Sequence, residues 1–233
     1  VPIPLSVIIP TLNEAATIPD TLSPLQAMRG RGVEVLLVDG GSSDGTPDLA
    51  RPWVDRILVS KPGRARQMNC GARLAVADTL WFLHADTRVP ESADELLGNA
   101  LGSSGQWGYF AIRLSSDERV YRVIEWFMNQ RVRWTSSVTG DHGLFVRRAL
   151  FLEVAGYPDI ALMEDIALSQ RLRRYGPPRR ASARLVTSSR KWEREGVLRT
   201  IGRMWLIRAA YRAGVCPQRL ARWYYGSRTA VCK

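Results

Sequence analysis

The sequence has no long apolar run. Nothing in its 233 residues approaches the ~18 uninterrupted apolar positions that a membrane-spanning helix needs, so no span is expected. A basic N-terminal region followed by an apolar core is also missing. The chain runs straight into a strand pattern, and no signal peptide is expected. Cysteine is scarce: Cys70, Cys216 and Cys232 are too few and too scattered for a disulfide framework or a zinc site. Together these absences predict a reducing, cytoplasmic setting. There are no internal repeats and no low-complexity linkers, and the length suits one large domain better than two.

The C-terminal quarter lacks acid. Between Arg179 and Lys233 twelve Arg and two Lys face only Glu193 and Glu195, a balance of +12 in a chain whose net charge is +11. The first 178 residues are therefore nearly neutral. Such a segment attracts anions: nucleic acid, an acidic membrane surface or a phosphorylated ligand. No nucleic-acid motif accompanies the charge, so nucleic acid is not an expected partner. The plainest alternative is an arginine-rich helix packed on the core with its guanidinium groups solvated or paired.

What is present is an alternation of short apolar strands with helices. Strands are predicted over Leu5–Ile9, Val33–Val38, Asp55–Val59 and Leu80–Leu83, with helices from Asn13 to about Met28 and from Gly63 to Ala77. This order implies a single α/β domain with a mostly parallel sheet covered on both faces. Beyond Gly105 the spacing predicts a strand over Trp107–Leu114 and a long helix over Asp117–Arg133. A loop follows at Thr139–Gly143, then a helix from Glu164 to Tyr175 that stops before Gly176-Pro177-Pro178. From Val197 to Tyr225 the residues Leu198, Ile201, Trp205 and Tyr211 recur at helical spacing.

In sheets of this kind ligands sit outside the carboxyl ends of the strands, and Thr11, Asp39 and Asp86 all fall at such ends. Asp39 opens a Gly/Ser-rich turn whose backbone N–H groups and carboxylate suit a nucleoside. His84-Ala85-Asp86 puts an imidazole and a carboxylate two residues apart, on one side of an extended segment. That pair suits Mn²⁺, and Asp86 with phosphate oxygens also suits Mg²⁺. Glu164-Asp165, at a helix start, offers a general base. Each feature also has a plain reading, as a helix cap, a tight turn or a complement to a helix dipole.

The ordered set resembles the inverting glycosyltransferases of family 2, which have the GT-A fold. The resemblance runs from about Leu5 to Trp192. It is carried by Ser6–Glu14 (SVIIPTLNE), Val38–Thr46 (VDGGSSDGT), Gly63–Ala72 (GRARQMNCGA), Phe82–Thr87 (FLHADT), Gly143–Arg148 (GLFVRR), Gly156-Tyr157-Pro158 and Glu164-Asp165-Ile166. Its details are most similar to a bacterial subgroup associated with radical-SAM and selenodomain genes, also labelled arsenosugar-biosynthesis glycosyltransferases.

The resemblance implies a GT-A domain over residues 1–195, with a nucleotide-sugar half at 1–104 and an acceptor half at 105–195. A basic helical segment at 196–233 follows. It implies donor contacts from Pro10, Thr11, Asn13, Glu14, Asp39, Gly40, Ser42, Arg64, Arg66, Gln67, Asn69, His84 and Ala85. A divalent metal, Mn²⁺ or Mg²⁺, is expected on Asp86 with His84, where the family carries Asp-x-Asp. Asp165, with Glu164 beside it, is expected as the base, and Gly140, Asp141, His142, Arg190 and Trp192 on the acceptor side. The implied partners are a nucleotide-sugar donor, UDP-linked, and a small-molecule or lipid-like acceptor. A peripheral contact with the acidic inner face of the cell membrane and a homodimer are further expectations. The competing reading is a catalytically degenerate scaffold that binds membrane or nucleic acid. Thr187–Trp192 lacks the Gln-x-x-Arg-Trp element of processive relatives, so polymer synthesis is not expected.

Overall fold

The computed structural model describes residues 4–226; Cys232 and the end of the basic segment, 227–233, lie outside the described residues. The first half alternates strand and helix: β1 (Leu5–Thr11), α1 (Ile18–Leu22), α2 (Leu25–Gly30), β2 (Glu34–Asp39), α3 (Thr46–Ala50), β3 (Arg56–Val59), α4 (Arg64–Leu74) and β4 (Thr79–Phe82). The second half holds β5 (Thr87–Arg88), α5 (Ala93–Leu101), β6 (Trp107–Leu114), α6 (Arg119–Thr135), β7 (Phe145–Arg147), α7 (Arg148–Glu153), α8 (Glu164–Leu172), β8 (Arg179–Thr187), α9 (Arg190–Glu195), α10 (Val197–Arg212) and α11 (Pro217–Tyr225).

All eight strands join one sheet in the order β3-β2-β1-β4-β7-β6-β8-β5. β3, β2, β1 and β4 are parallel. β7 runs antiparallel to both β4 and β6, whereas β6 and β8 are parallel. The apolar runs of the central strands have a direct cause. Val7, Ile9, Val35, Leu37 and Trp81 face one core, while Ile8, Leu36, Val38, Leu80 and Phe82 face another on the opposite side. A strand buried on both faces cannot alternate apolar with polar. Each such side chain contributes about 1.5–3 kcal/mol by leaving water. α4 lies close over β1, because Gly71 has no side chain; a Cβ there would stand 2.5 Å from Ile8 Cγ2.

Three expectations are corrected. The helix expected from Asn13 to Met28 is two short ones, since Pro19 and Pro24 each start a new turn rather than continue an old one. The expected Val197–Tyr225 run breaks at Gly214 (φ 83°) and Pro217 into α10 and α11. Of the residues expected at helical spacing, Leu198 and Trp205 are 85% and 70% exposed, whereas Ile201 and Tyr211 pack against the core beside the buried Thr200 and Ile207. β8, a nine-residue strand, had no counterpart in the sequence reading. No helix among the described residues is long and apolar enough to cross a membrane.

Candidate active site

The carboxyl ends of β1 and β2 lie side by side, with Thr11 paired to Asp39. Gly40 N–H donates to Thr11 O at 2.9 Å. The loops that follow are laced together: Asn13 N–H donates to Ser42 Oγ, Ser43 N–H to Asn13 Oδ1, and Ala15 N–H to Asp44 Oδ2, each at 2.9 Å. Glu14 N–H donates to Thr46 Oγ1. Asp39 is buried, and its carboxylate accepts from Gly41 N–H, Ser42 N–H and the Ser42 hydroxyl. The loop itself therefore accounts for Asp39. Asp44 is held below the usual carboxylate range, first by the Thr46 hydroxyl and then by Ala15 N–H.

α4 brings four expected residues, and they divide by task. Gln67 is buried and its Nε2 donates to Thr11 O and Val38 O, tying α4 to the ends of β1 and β2. Asn69 exchanges hydrogen bonds with the Tyr157 backbone in both directions. Arg66 pairs with Asp159 at 2.9 Å. Only Arg64, at the start of the helix, reaches the cavity described next.

That cavity, about 230 Å³, gathers Arg64, His84, Asp86, Gly140, Asp141, Glu164, Asp165 and Trp192 from five separate segments. His84 and Asp86 come from the turn after β4, which Thr21 fixes by donating its hydroxyl to Ala85 O at 2.8 Å. Glu164 and Asp165 open α8, presented by Met163 in the left-handed region at φ 72°. A non-glycine residue held there stores strain of order 1 kcal/mol, and the start of a helix favours carboxylates. Asp165 is oriented by the backbone, with Oδ2 accepting from Gly140 N–H at 3.0 Å and Oδ1 from Ile166 N–H at 2.7 Å.

Charges in the cavity are strongly coupled. His84 Nδ1 lies 3.4 Å from Asp141 Oδ1. Burial, the largest single influence, would push the His84 imidazole down, but the hydrogen bond to Asp141 together with the charges of Asp141 and Asp86 raises its pKa. Burial likewise works against the Asp141 carboxylate, yet the same His84 bond holds it far below the usual range. Glu164 is pushed up, first by burial and then by the charge of Asp165. Its carboxylate lies 3.9 Å from Arg64. Arg64 also donates from Nη2 to the Tyr225 hydroxyl at 3.3 Å. Tyr225, ahead of burial and Glu164, is the main influence on that guanidinium and raises its pKa.

Among the described residues no three His, Cys, Asp or Glu side chains converge as a ready metal cage. Asp86 nevertheless suits a hard cation that takes its other ligands from phosphate. It is half-buried, faces the cavity and takes part in no hydrogen bond or ion pair among the described residues. His84 is engaged otherwise. Asp141 occupies its Nδ1 side, and its Nε2–Cε1 edge packs on Gly140, where an added Cβ would overlap the ring.

Of the remaining expected residues, Pro10, Thr11, Asn13, Glu14, Asp39, Gly40, Ser42, Ala85, His142 and Arg190 do not line this cavity. His142 is fully buried, with Nδ1 3.0 Å from Thr139 Oγ1. Arg190 turns to Ser188 Oγ. The wall the sequence reading missed comes from α10 and α11: Thr200, Met204, Ile207, Arg208 and Tyr224. The first four repeat at i, i+4, i+7 and i+8, one helical face. Thr and Arg break its apolar pattern, so a search for hydrophobic spacing alone passes over it.

Comparison with known proteins bears on the family and the fold. The sequence profile of the family described as Glycosyl transferase family 2 matches residues 6–147. The PGL/p-HBAD biosynthesis glycosyltransferase of Mycobacterium bovis is 37% identical over 94 residues, which are 37% of this chain and 37% of that protein. Validoxylamine A glucosyltransferase of Streptomyces hygroscopicus is 40% identical over 94 residues, 36% of this chain and 22% of its own length. The matched stretch is thus well under half of these relatives. Among solved structures, TarS 1–349 of S. aureus superposes with a TM-score of 0.64 at 18% identity, over 80% of this chain and 61% of that one. The Pyrobaculum calidifontis mannosyltransferase PcManGT, solved with GDP-Man and Mn²⁺, superposes with a TM-score of 0.61 at 22% identity, over 88% and 60%. At such identities the likeness is one of fold.

Proposed function

The chain belongs to glycosyl transferase family 2, and on that premise we propose that it moves a sugar, with inversion, from a nucleotide-diphosphate donor to a hydroxyl-bearing acceptor. The observation that carries this reading is that Asp86, from the first half, and Asp165, from the second, face one cavity. The donor is UDP-linked and the acceptor is a small molecule or a lipid-like one. The chain's place is in the radical-SAM- and selenodomain-associated subgroup that its motifs resemble.

Sugar transfer needs charge neutralised on the leaving side and a base on the attacking side. Arg64 is the cation placed for the departing diphosphate. Asp86 would hold a divalent ion, Mn²⁺ or Mg²⁺, which when bound supplies Lewis-acid stabilisation of the same charge. Asp165 takes the proton of the acceptor hydroxyl, whose oxygen then bonds to the anomeric carbon. The bond from that carbon to the diphosphate oxygen breaks, and its electron pair leaves with the nucleotide. One displacement inverts the centre. The two backbone N–H donors to Asp165 fix its direction. Glu164 stands beside that base and 3.9 Å from Arg64, its pKa raised by burial first and then by Asp165. Asp39, Asn13 and Ser42 frame the nucleoside by shaping the loops, and Gly140, Asp141 and Trp192 face the acceptor.

The test is thermal stability with UDP, GDP, CDP or dTDP, each with and without Mn²⁺ or Mg²⁺. A ligand at ~100 times its Kd adds about 2.7 kcal/mol to the folded state. A metal-dependent shift with one nucleotide, lost in Asp86→Asn, is the expected result. No shift with any nucleotide would overturn the reading and favour the degenerate scaffold.

A further inference from the structure

Behind the cavity lies a second one, of about 330 Å³, at the small end of the range for small-molecule sites. Arg131, Arg173, Arg208 and Arg212 all line it, together with Ser137 and Trp134. No Asp or Glu does. Arg131 is anchored by donating to Ser137 O at 2.9 Å and Thr139 Oγ1 at 3.1 Å, while its buried Nε has no partner. Arg173 donates to Thr135 O. The side chains of Arg208 and Arg212 take part in no hydrogen bond or ion pair among the described residues. Arg208 also lines the first cavity, so the two share a wall. The nearest carboxylates acting on it, Asp165 and Asp141, belong to that first cavity.

Four arginines around one cavity with no acidic residue in its lining bring like charges together, most unfavourably for the half-buried Arg131 and Arg208. Burial first, and then Arg208, lower the pKa of Arg131 to about 10. A bound oxyanion removes the cost and uses the idle donors, since guanidinium forks match phosphate oxygens. We propose that this second cavity binds a phosphate ester, and that the ester is the anionic group of the acceptor whose hydroxyl reaches Asp165. The acceptor assignment rests on the transferase reading; the anion site itself does not. Trp134, at the cavity wall and 71% exposed, gives an apolar edge for whatever the phosphate is attached to. Both a soluble phosphate ester and a lipid headgroup carry the required chemistry.

The experiment is calorimetric titration of the full chain with inorganic phosphate, then with glycerol phosphate, and sedimentation with vesicles of phosphatidic acid in phosphatidylcholine. Arg173→Gln/Arg212→Gln should weaken phosphate binding by about tenfold or more, as expected when charge-assisted bonds are removed. Arg199→Gln/Arg222→Gln, at exposed arginines elsewhere, should leave it unchanged. Should the double variant fail to fold, Arg212→Glu alone makes the same test. Binding of glycerol phosphate supports a soluble acceptor; vesicle binding without it supports a lipid one. Equal binding by all variants, no binding at all, or loss in Asp86→Asn would overturn the site. If phosphate binds as expected while no nucleotide shifts the melt, the transferase reading fails and the anion site stands. If the nucleotide shift is seen and the arginine variants bind phosphate normally, the reverse holds.

Discussion

Gly140 lies directly against the Nε2–Cε1 edge of the His84 ring, so that any side chain at position 140 would enter space the imidazole occupies. Gly140 N–H also anchors Asp165. One residue therefore sets both the imidazole next to Asp86 and the carboxylate across the cavity. Gly140→Ala should cost about 1–3 kcal/mol by overpacking, seen as a lower Tm, and should depress transfer further. Removing the ring as well, in His84→Ala/Gly140→Ala, should restore most of the Tm but not the activity. A double-mutant cycle with no coupling would show that the two residues do not press on each other.

Asp165→Asn keeps the shape of the side chain, but its single carbonyl oxygen can accept only one of the two backbone N–H groups, and it cannot take a proton. Transfer should fall by about 10²-fold or more, with nucleotide-dependent melting shifts unchanged. Glu164→Gln should do less, because Glu164 stands beside the base without itself taking the acceptor proton. Steady-state rates and melts on the same preparations check both, and full activity in Asp165→Asn would remove it from the mechanism.

Buried His142 gives a pH prediction. Burial first, then the nearby Arg131, lower its pKa to about 3. In the unfolded chain it titrates near 6.5. Below that value the unfolded state holds the proton and the folded state does not, so this group's effect on stability is absent above pH 6.5. As pH falls from 6.5 towards 3 it destabilises the fold by about 1.4 kcal/mol per unit. Replacing His142 with Phe, which also fills the space, should flatten that part of a denaturation-versus-pH curve.

The hairpin of α10 and α11 is held by a small cluster in which Leu162, Ile207 and Leu220 are buried. Leu220→Ala should cost about 2–3 kcal/mol, felt locally. Hydrogen exchange should quicken in α11 before it does in β1 or β4. Uniform acceleration would mean that the hairpin and the sheet unfold as one unit.

The central strands were legible because burial on both faces leaves only apolar residues, as in Val7–Ile9 and Val35–Val38. Asp86, Glu164 and Asp165 stood out as acids beside strand and helix ends, and the fold brings them to one cavity. β8 escaped notice because its inward positions, Ala181, Ala183, Leu185 and Thr187, alternate with Arg180, Ser182 and Arg184 behind a Gly-Pro-Pro breaker. The alternation was a usable signal, hidden by small inward residues. Arg208 was counted as charge but not located. Its importance depends on which face of α10 packs, and that is decided by residues far away in the chain, among them Leu162 and Ile124.

The contact between Tyr225 and Arg64 has a practical side. The chain at position 225 passes beside Arg64, which lines the cavity, so a bulky label placed there would stand close to the site. An environment-sensitive dye near position 225, by the same token, would report ligand entry without touching the carboxylates.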